Sequence, residues 1–465
     1  KYKVYLRPNS LIIDTEFISN ILFIFNKYPK VGILGAIGSE SIPTSGQWWH
    51  SSHRCGGVYT GISGNMVKLS FNECKGISEE GLTYYNVALI DAAIFTTQYD
   101  LNFDIKEASM EYLSSFMSIE YKKAGYDLLV FEKSRPYILF NKNINIEDNL
   151  IGERKTFPDK YLAYIPRVTI IIPIYCEGDF LITLDSIIAQ GYKSLDVVIL
   201  DTTKNMKIMD LIENIEGLDI KYYSCSLEEF TYNCDELIKN SKGDLFTFIY
   251  PGDILHSSFL EILVNYFIDY EDINIAFSSS KSSGFLYGLF DSTVVIEGKK
   301  LYKLILRNNL DLSLFISGVL FRKKTKNSGA YLNLYYTTLC LEMMESGNVV
   351  YVASSLVDNK YIPSYTNFIN IEDLHKEFTL ALEWFNLIEE AHLQKKLDPE
   401  AEYYKALVCY LIKHINLIKW MYNSAVINSM SIKEMKDALI KVVATLKVCD
   451  NDSYINLAEM VEKIL

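Results

Sequence analysis

The sequence has no long apolar run, no Cys-x-x-Cys pair and no excess of positive charge. Without about 18 consecutive apolar residues, it offers no candidate for a membrane-spanning helix. Irregular spacing of the eight cysteines favours reduced thiols in a cytoplasmic protein over a disulfide framework or a paired-cysteine metal site. A net charge of −13 argues against nucleic-acid binding, because nucleic-acid-binding surfaces are usually basic.

Apolar residues make up 49% of the 465 positions, so the chain can build hydrophobic cores. Its length suggests about three domains of roughly 150 residues each. Residues 1–145 mix short apolar runs with loops, and residues 146–166 are polar and charged, as in a linker. Residues 167–369 alternate strands and helices, and residues 370–465 contain four amphipathic helical segments.

Three apolar, β-branched runs are typical of buried parallel strands: RVTIIIPIY, LDVVILD and DLFTFIYPGD. Helical segments separate these runs, so a parallel sheet with right-handed crossovers is predicted. Ligands bind such sheets at the carboxyl ends of the strands. This rule places Tyr175, Asp201 and Asp253 along one rim of the predicted sheet.

The stretch VTIIIPIYCEGDFLITLDSIIAQGYKSLDVVILD resembles the opening of family 2 glycosyltransferases, which have the GT-A fold. The resemblance rests on Pro173, Tyr175 and the pattern Ser186–Tyr192, and it extends over residues 167–360. It implies a UDP-sugar or another nucleotide-sugar as donor, and a nucleotide pocket lined by Pro173, Tyr175, Glu177 and Asp201. In that pocket Tyr175 would stack on the base, and Asp201 would accept a hydrogen bond from uracil or ribose.

The metal-binding motif of that family is degenerate in this chain. The family's third strand ends in several acids that bind Mg²⁺ or Mn²⁺, which neutralises the leaving diphosphate. In TFIYPGDIL, Tyr250 and Gly252 occupy the first acidic positions and only Asp253 remains. A hard cation needs several oxygen ligands, so a divalent ion is a weak expectation, with Asp253 and His256 as candidate ligands. The alternatives are an N-cap of the next helix for Asp253, which we prefer, and a helix-start residue for His256.

The general base is also missing from its expected position. An inverting transfer needs a base that accepts the proton of the acceptor hydroxyl. Counting back from GNVVYVASSLV places Tyr335 and Tyr336 where the family has an acidic pair, and tyrosine is a poor base near neutral pH. A shift in register would instead offer Glu342 or Glu345.

The amino-terminal region resembles a second, rarer glycosyltransferase-like GT-A family. The segments VYLRPNSLI, VGILGAIGS and SIPTSGQWW carry this resemblance. The polar motifs of that family are again altered in this chain. Arg7-Pro8-Asn9 replaces His-Gln-Asp, and Asp91-Ala92 replaces Asp-Gly. The match starts midway through the fold, so we expect the first nucleotide-binding strands of this domain to be absent from the sequence.

Two further clusters have both a functional and a structural interpretation. His50, His53 and Cys55 could ligate zinc, but their spacing fits no common site, and packed loop residues are the simpler interpretation. The cluster Arg322–Lys324 could meet a diphosphate without a metal, although a solvated turn is the more common arrangement.

The sequence thus predicts an α/β chain with two tandem GT-A-like domains, of which the first lacks its amino-terminal half, and an all-helical carboxyl-terminal domain. One functional hypothesis is a bacterial, hexosyltransferase-like enzyme that uses a nucleotide-sugar and acts on a surface glycan, a lipid-linked glycan or a protein. The other is a non-catalytic homologue that binds the acceptor or supports a catalytic partner. The helical domain would bind the acceptor or form a homo-oligomer. The protein would lie in the cytoplasm, or peripherally at the inner face of the membrane.

Overall fold

The structure is a computed structural model, and the residues that it describes are 2–62, 65–101, 112–140, 159–174, 180–204, 206–213, 215–282, 285–310, 312–324, 334–360, 371–397, 400–423, 430–449 and 451–463. The chain divides into two compact units. Unit 1 comprises Lys1–Pro166, Tyr192–Ser194 and Val264–Glu271, and unit 2 comprises Arg167–Gly191, Leu195–Leu263 and Asp272–Leu465. None of the described helices combines the length and apolar character that crossing a membrane requires.

Unit 1 is an α/β arrangement of short elements. In chain order they are β1 Lys3–Leu6, β2 Ser10–Ile12, α1 Phe17–Lys27, β3 Val31–Gly35, β4 Ile37–Ser39, β5 Arg54–Ile62, β6 Asn65–Asn72, β7 Ile77–Glu79, β8 Leu82–Asn86, β9 Leu89–Ile90, β10 Ile94–Thr97, α2 Leu113–Lys123, β11 Asp127–Glu132 and β12 Ile138–Phe140. One sheet has the order β1-β10-β3-β11-β8-β7, and the other has the order β2-β12-β5-β4-β9 with β6 beside β5. Within the first sheet, β3 and β11 are parallel and the other neighbours are antiparallel.

The elements that follow alternate strands and helices before four helices close the chain. They are β13 Val168–Ile174, α3 Phe180–Ile188, β14 Leu195–Asp201, α4 Met206–Ile212, β15 Ile220–Ser224, α5 Phe230–Asn240, β16 Leu245–Phe248, β17 Ile254–Leu255, α6 Phe259–Asp269, β18 Ile273–Ser282, β19 Phe285–Tyr287, β20 Val294–Ile296, α7 Gly298–Asn308, β21 Val319–Arg322, α8 Tyr335–Glu345, β22 Asn348–Asp358, α9 Ile371–Leu393, α10 Glu400–Asn423, α11 Met430–Lys447 and α12 Asp452–Glu462.

The ten strands that the structure describes in unit 2 form one sheet with the order β15-β14-β13-β16-β21-β18-β22-β17, in which β19 pairs with β18 and β20 with β22. The predicted parallel arrangement is confirmed, because β15, β14, β13 and β16 are parallel neighbours. All seven residues of β13 and all seven of β14 are buried, which explains their mostly apolar sequences. Their carboxyl ends form the rim that the sequence predicted.

The four carboxyl-terminal helices pack on the sheet domain of unit 2. Their buried side chains, such as Trp384 and Leu407, belong to the same hydrophobic core as Phe246 and Phe248 of β16. Lys413 on α10 donates a hydrogen bond to the carbonyl of Asn309, which ends α7, at 2.8 Å. The amphipathic pattern of residues 370–465 therefore reflects packing against unit 2 as well as between the helices.

Candidate functional site

The turn after β16 is fixed by contacts to α3. Asp253 donates its backbone N–H to the carbonyl of Tyr250 at 3.1 Å, which closes the turn, and Gly252 has a φ of +93°. The buried hydroxyl of Thr183 accepts the N–H of Gly252 at 2.8 Å and donates to the carbonyl of Asp253 at 2.9 Å. An acidic side chain in place of Gly252 would be strained, because L residues rarely adopt this φ. The backbone of this turn therefore favours glycine at position 252, where the family has an acidic residue.

The carboxylate of Asp253 is 1% exposed and uses both oxygens within the protein. Oδ2 accepts a hydrogen bond from the Ser317 hydroxyl at 2.6 Å, and Oδ1 accepts the backbone N–H of Lys360 at 2.9 Å. Burial raises the pKa of Asp253 to about 6, and the two hydrogen bonds oppose this rise. The N-cap interpretation of Asp253 is wrong, because α6 begins only at Phe259. Asp253 instead links the turn to two distant segments.

The start of α6 is held by other side chains. His256 is exposed, and its Nδ1 lies 2.9 Å from the hydroxyl of Ser258, one residue before the helix. Gln190 donates from Nε2 to the carbonyl of His256 at 2.8 Å and accepts the N–H of Leu260 at 3.1 Å. The geometry thus agrees with the helix-start interpretation of His256. It also gives the family pattern Ser186–Tyr192 a structural role at this turn.

The described residues of this turn do not fit Mg²⁺ or Mn²⁺. Both oxygens of Asp253 already accept hydrogen bonds from protein donors, and a hard cation needs several oxygen ligands. Among the residues that the structure describes, no three His, Cys, Asp or Glu side chains are grouped as ligands for a metal ion.

Asp201 ends β14 with no exposed surface. Its Oδ1 accepts hydrogen bonds from the N–H and the hydroxyl of Thr203 at 2.7 and 2.6 Å, and its Oδ2 accepts the hydroxyl of Tyr222 at 2.7 Å. Burial and this last hydrogen bond together raise the pKa of Tyr222 to about 12. This geometry favours a structural role for Asp201 at the end of β14 over the expected contact to uracil or ribose, because both of its oxygens are bonded within the protein.

The other predicted nucleotide-pocket residues are only partly described. Pro173 lies in β13 opposite Leu200 of the parallel strand β14. Tyr175 and Glu177 lie outside the described residues.

An aromatic cluster occupies the positions where the family has acids. The Tyr250 ring meets the Tyr336 ring edge-on at 5.8 Å, and Tyr336 meets Phe248 at 5.0 Å and Tyr335 at 5.4 Å. Tyr335 and Tyr336 are buried in the first turn of α8, and Tyr335 donates its hydroxyl to Asp235 at 2.9 Å. The side chains at the expected acidic positions are therefore packed against one another as part of the core.

The alternatives at the base position lie elsewhere on α8. Glu345 is the last residue of α8 and forms an ion pair with Lys396, just beyond α9. Glu342 lies one turn before the end of the helix and is half-buried.

The interpretation of Arg322–Lys324 as a diphosphate site is wrong. Arg322 pairs with Leu245, the first residue of β16, so this cluster lies at the amino end of the parallel strands, away from the rim. Its members bond to the protein instead: Arg322 donates to the carbonyl of Ile273 at 2.8 Å, and Lys323 donates to the carbonyl of Ser241 at 2.6 Å.

The three candidate zinc ligands of unit 1 have separate partners. Nδ1 of His50 lies 2.5 Å from the hydroxyl of Ser45, the His53 ring packs on Tyr270, and Cys55 donates weakly to the carbonyl of Gly38 at 3.8 Å.

Asp91 of unit 1 is also engaged by the protein. Its carboxylate accepts hydrogen bonds from Trp48 Nε1 at 2.7 Å and from the N–H of Ala93 at 2.6 Å. The loop that contains Trp48 and Trp49 is therefore held in place by Asp91.

Comparison with family models agrees with both resemblances. Residues 1–161 match the model described as a glycosyltransferase-like family, and residues 169–321 match the model described as glycosyl transferase family 2. The chain carries two glycosyltransferase-like domains in tandem.

Solved structures with low similarity to the chain include TarS and a mannosyltransferase. Residues 1–349 of TarS from S. aureus are 13% identical, with 64% of this chain and 83% of that chain covered and a TM-score of 0.41. The same TarS fragment in complex with UDP-GlcNAc is 12% identical, with 64% and 88% covered and a TM-score of 0.43. The mannosyltransferase PcManGT from Pyrobaculum calidifontis, in complex with GDP-Man and Mn²⁺, is 13% identical, with 68% and 90% covered and a TM-score of 0.36. No curated protein matches the sequence.

Four residues that sequence reasoning missed determine the geometry of the rim: Thr183, Tyr222, Ser317 and Lys360. Ser317 lies 64 positions from Asp253, and Lys360 lies 107 positions from it, so no local pattern links them. Only Thr183 could have been suspected from the sequence. It lies three residues before Ser186, on the helix face that holds the family pattern.

Proposed function

We propose that this protein takes part in the synthesis of a bacterial surface glycan or in protein glycosylation, as a glycosyltransferase homologue whose second domain does not itself transfer a sugar. One observation carries the proposal. The single remaining acid of the degenerate metal motif, Asp253, is buried with both oxygens bonded to Ser317 and Lys360. A carboxylate held in this way has no oxygen available to bind a metal ion beside a leaving diphosphate.

The chemistry of transfer explains why this matters. A nucleotide-sugar donor leaves as a diphosphate whose charge must be neutralised, and the acceptor hydroxyl must lose a proton to a base. The rim of the second domain offers Tyr250 at the first family acid position and buried Tyr336 at the base position. Neither neutral phenol supplies negative charge for a metal or a basic group near pH 7.

The proposed role is to bind a glycan, a lipid-linked glycan or a protein acceptor, or to support a catalytic glycosyltransferase partner. The helices α9–α12 are the proposed contact for the acceptor, the partner or a second copy, since they cover the second domain. The proposed location is the cytoplasm, or the inner face of the membrane as a peripheral protein, where nucleotide-sugars are available.

The second candidate function is an active nucleotide-sugar transferase with metal-independent chemistry. The two strands that border the predicted nucleotide pocket are retained, and this favours the second candidate. Pro173 of β13 lies opposite Leu200 of the parallel strand β14, and Asp201 ends β14. Tyr175 and Glu177, which the resemblance assigns to the nucleotide pocket, match the family pattern in the sequence.

Calorimetry separates the two candidates. The ligands are UDP, GDP, UDP-GlcNAc and GDP-Man, each with and without Mn²⁺, and hydrolysis of both donors is followed in parallel. The proposal expects no Mn²⁺-dependent binding and no hydrolysis, in the wild type and in Asp253→Asn alike. Mn²⁺-dependent hydrolysis that Asp253→Asn abolishes would refute the proposal, and metal-independent hydrolysis would favour the second candidate.

A further inference from the structure

Two cysteines of unit 1 lie at the end of the β5–β6 pair where β5 begins. Cys55 is the second residue of β5, and it lies opposite Asn72, the last residue of β6. The pairing continues one residue further, because Glu73 donates its N–H to the carbonyl of Arg54 at 3.1 Å. Cys74 follows directly, so it is a diagonal neighbour of Cys55 across the two strands.

Both cysteine side chains lie on the same face of this strand pair. Alternate residues of a strand share a face, which places Cys74 with Ser70 and places Cys55 with Gly57. Gly57 and Ser70 lie opposite each other. The hydroxyl of Ser70 donates a hydrogen bond to Glu132, the last residue of β11, at 3.1 Å. This face of the pair is therefore turned towards β11, and both thiols lie on it.

The two thiols are close enough to share a proton. A hydrogen bond to Cys74, followed by burial, raises the pKa of the Cys55 thiol. The hydrogen bond of Cys55 to the Gly38 carbonyl, at 3.8 Å, is weak because an S–H group is a poor donor. Cys55 has no exposed surface, whereas Cys74 is half-buried. Cys55 therefore keeps its proton when Cys74 ionises, and Cys74 is the thiol that a reagent in solution reaches.

Cys225 and Cys234 of unit 2 provide a contrast. Both are buried, and burial is the first cause that raises the pKa of each thiol. For Cys234 the nearby Asp235 and Cys225 add to the rise. Proximity of two thiols is thus common to both pairs, and the hydrogen bond between the thiols distinguishes Cys55 and Cys74.

We propose that Cys55 and Cys74 are a redox modification site, which forms a reversible disulfide by exchange with a low-molecular-weight disulfide. The thiolate of Cys74 attacks one sulfur of the small disulfide, which gives a mixed disulfide and releases one small thiol. Cys55 then attacks the sulfur of Cys74, and the second small thiol leaves. The two protein thiols lose two electrons and two protons, which the small disulfide takes up as two thiols. The new bond brings the sulfurs to about 2 Å, and the approach falls to Cys74 because it lies beyond β6.

The disulfide would act on the loop that contains Trp48. Trp48 packs edge-on against Phe71 of β6 at 5.5 Å, and the guanidinium of Arg54 lies 5.2 Å from the centre of the same ring. Arg54 also forms an ion pair with Glu73 at 2.9 Å. Oxidation would therefore restrain the strand end that supports this loop, whatever the activity of the second domain.

Oxidation in glutathione buffers of known ratio tests this proposal. The 465-residue chain is equilibrated with reduced and oxidised glutathione, quenched with acid, alkylated at its free thiols and digested without reduction for mass spectrometry. We expect two peptides joined through Cys55 and Cys74, which dithiothreitol separates. At the ratio that half-oxidises this pair, a link between Cys225 and Cys234 should be at least about tenfold less abundant.

The same oxidation in urea is the matched control. Cys225 and Cys234 are closer in sequence than Cys55 and Cys74, so an unfolded chain closes the loop between Cys225 and Cys234 more readily. The preference for the link between Cys55 and Cys74 should therefore disappear in urea, because it depends on the fold.

Two variants assign the roles of the thiols. Cys55→Ser should trap Cys74 as a mixed disulfide with glutathione, and Cys74→Ser should leave the buried Cys55 as a free thiol. Three results in the wild type would overturn the proposal: no link between Cys55 and Cys74 at any ratio, a link between Cys225 and Cys234 that forms as readily, or a preference that persists in urea. Reaction of Cys55 with glutathione in Cys74→Ser would contradict the proposed order of attack.

Discussion

Replacing Asp253 with asparagine should change the free energy of unfolding in a pH-dependent way. Burial raises the pKa of Asp253 to about 6 from an ordinary value of 3.8. Below pH 3.8 the carboxyl is protonated in the folded and unfolded states, so its ionisation has no effect on stability. Between these values the unfolded state loses the proton first, and the folded state becomes less stable as the pH rises. The full difference of about 2.2 pH units corresponds to about 3 kcal/mol above pH 6.

Asp253→Asn removes this ionisation and keeps most of the local geometry. The new amide oxygen can accept the N–H of Lys360, while the amide NH₂ faces the hydroxyl of Ser317 and perturbs a hydrogen bond that contributes about 1 kcal/mol. Near pH 4 the ionisation already costs the wild type roughly half of this amount, so we expect the variant to be about 0.5 kcal/mol less stable there. At pH 7 it should be about 2 kcal/mol more stable.

Urea denaturation between pH 4 and pH 8 measures this difference, with tryptophan fluorescence as the signal, because Trp384 is fully buried in the core of unit 2. The control is Ser317→Ala, which removes the donor to Asp253 and the acceptor of the Tyr250 N–H. It should lower stability at pH 7 by about 1–3 kcal/mol. A difference between the wild type and Asp253→Asn that is flat across this pH range would refute the reasoning, as would a wild type that is the more stable at pH 7.

Substitutions at three further positions test buried groups of unit 2. Tyr336→Ala should lower the free energy of unfolding by about 3–5 kcal/mol in urea titrations, because a packed ring is lost, and Tyr336→Phe should cost much less. Asp201→Asn should cost about 1–3 kcal/mol at pH 7, because its three hydrogen bonds need an acceptor at both oxygens. Burial lowers the pKa of His414 to about 3, so its contribution to stability is present above pH 6.5 and is lost by up to about 1.4 kcal/mol per unit as the pH falls towards 3. His414→Phe should abolish that dependence, and an unchanged slope in its urea titrations would contradict it.

The sheet of the second domain was predictable because its strands are local features. The runs RVTIIIPIY and LDVVILD are mostly apolar, and such runs occur where both faces of a strand are covered. The glycosyltransferase-like resemblance was equally local, since it depends on residues a few positions apart, such as Ser186 and Gln190 on one helix face. The loss of acids at Tyr250 and Gly252 was visible for the same reason.

The role of the remaining acid was decided by tertiary structure alone. The choice between a ligand contact and a helix cap for Asp253 used only neighbouring residues, and the structure shows a third arrangement with donors from Ser317 and Lys360. Periodicity along a strand is set by residues one or two positions apart, so sequence alone determined which segments form the sheets. Hydrogen bonds of a buried carboxylate and pairing at a strand edge join residues far apart in the chain, so only the folded structure could determine them.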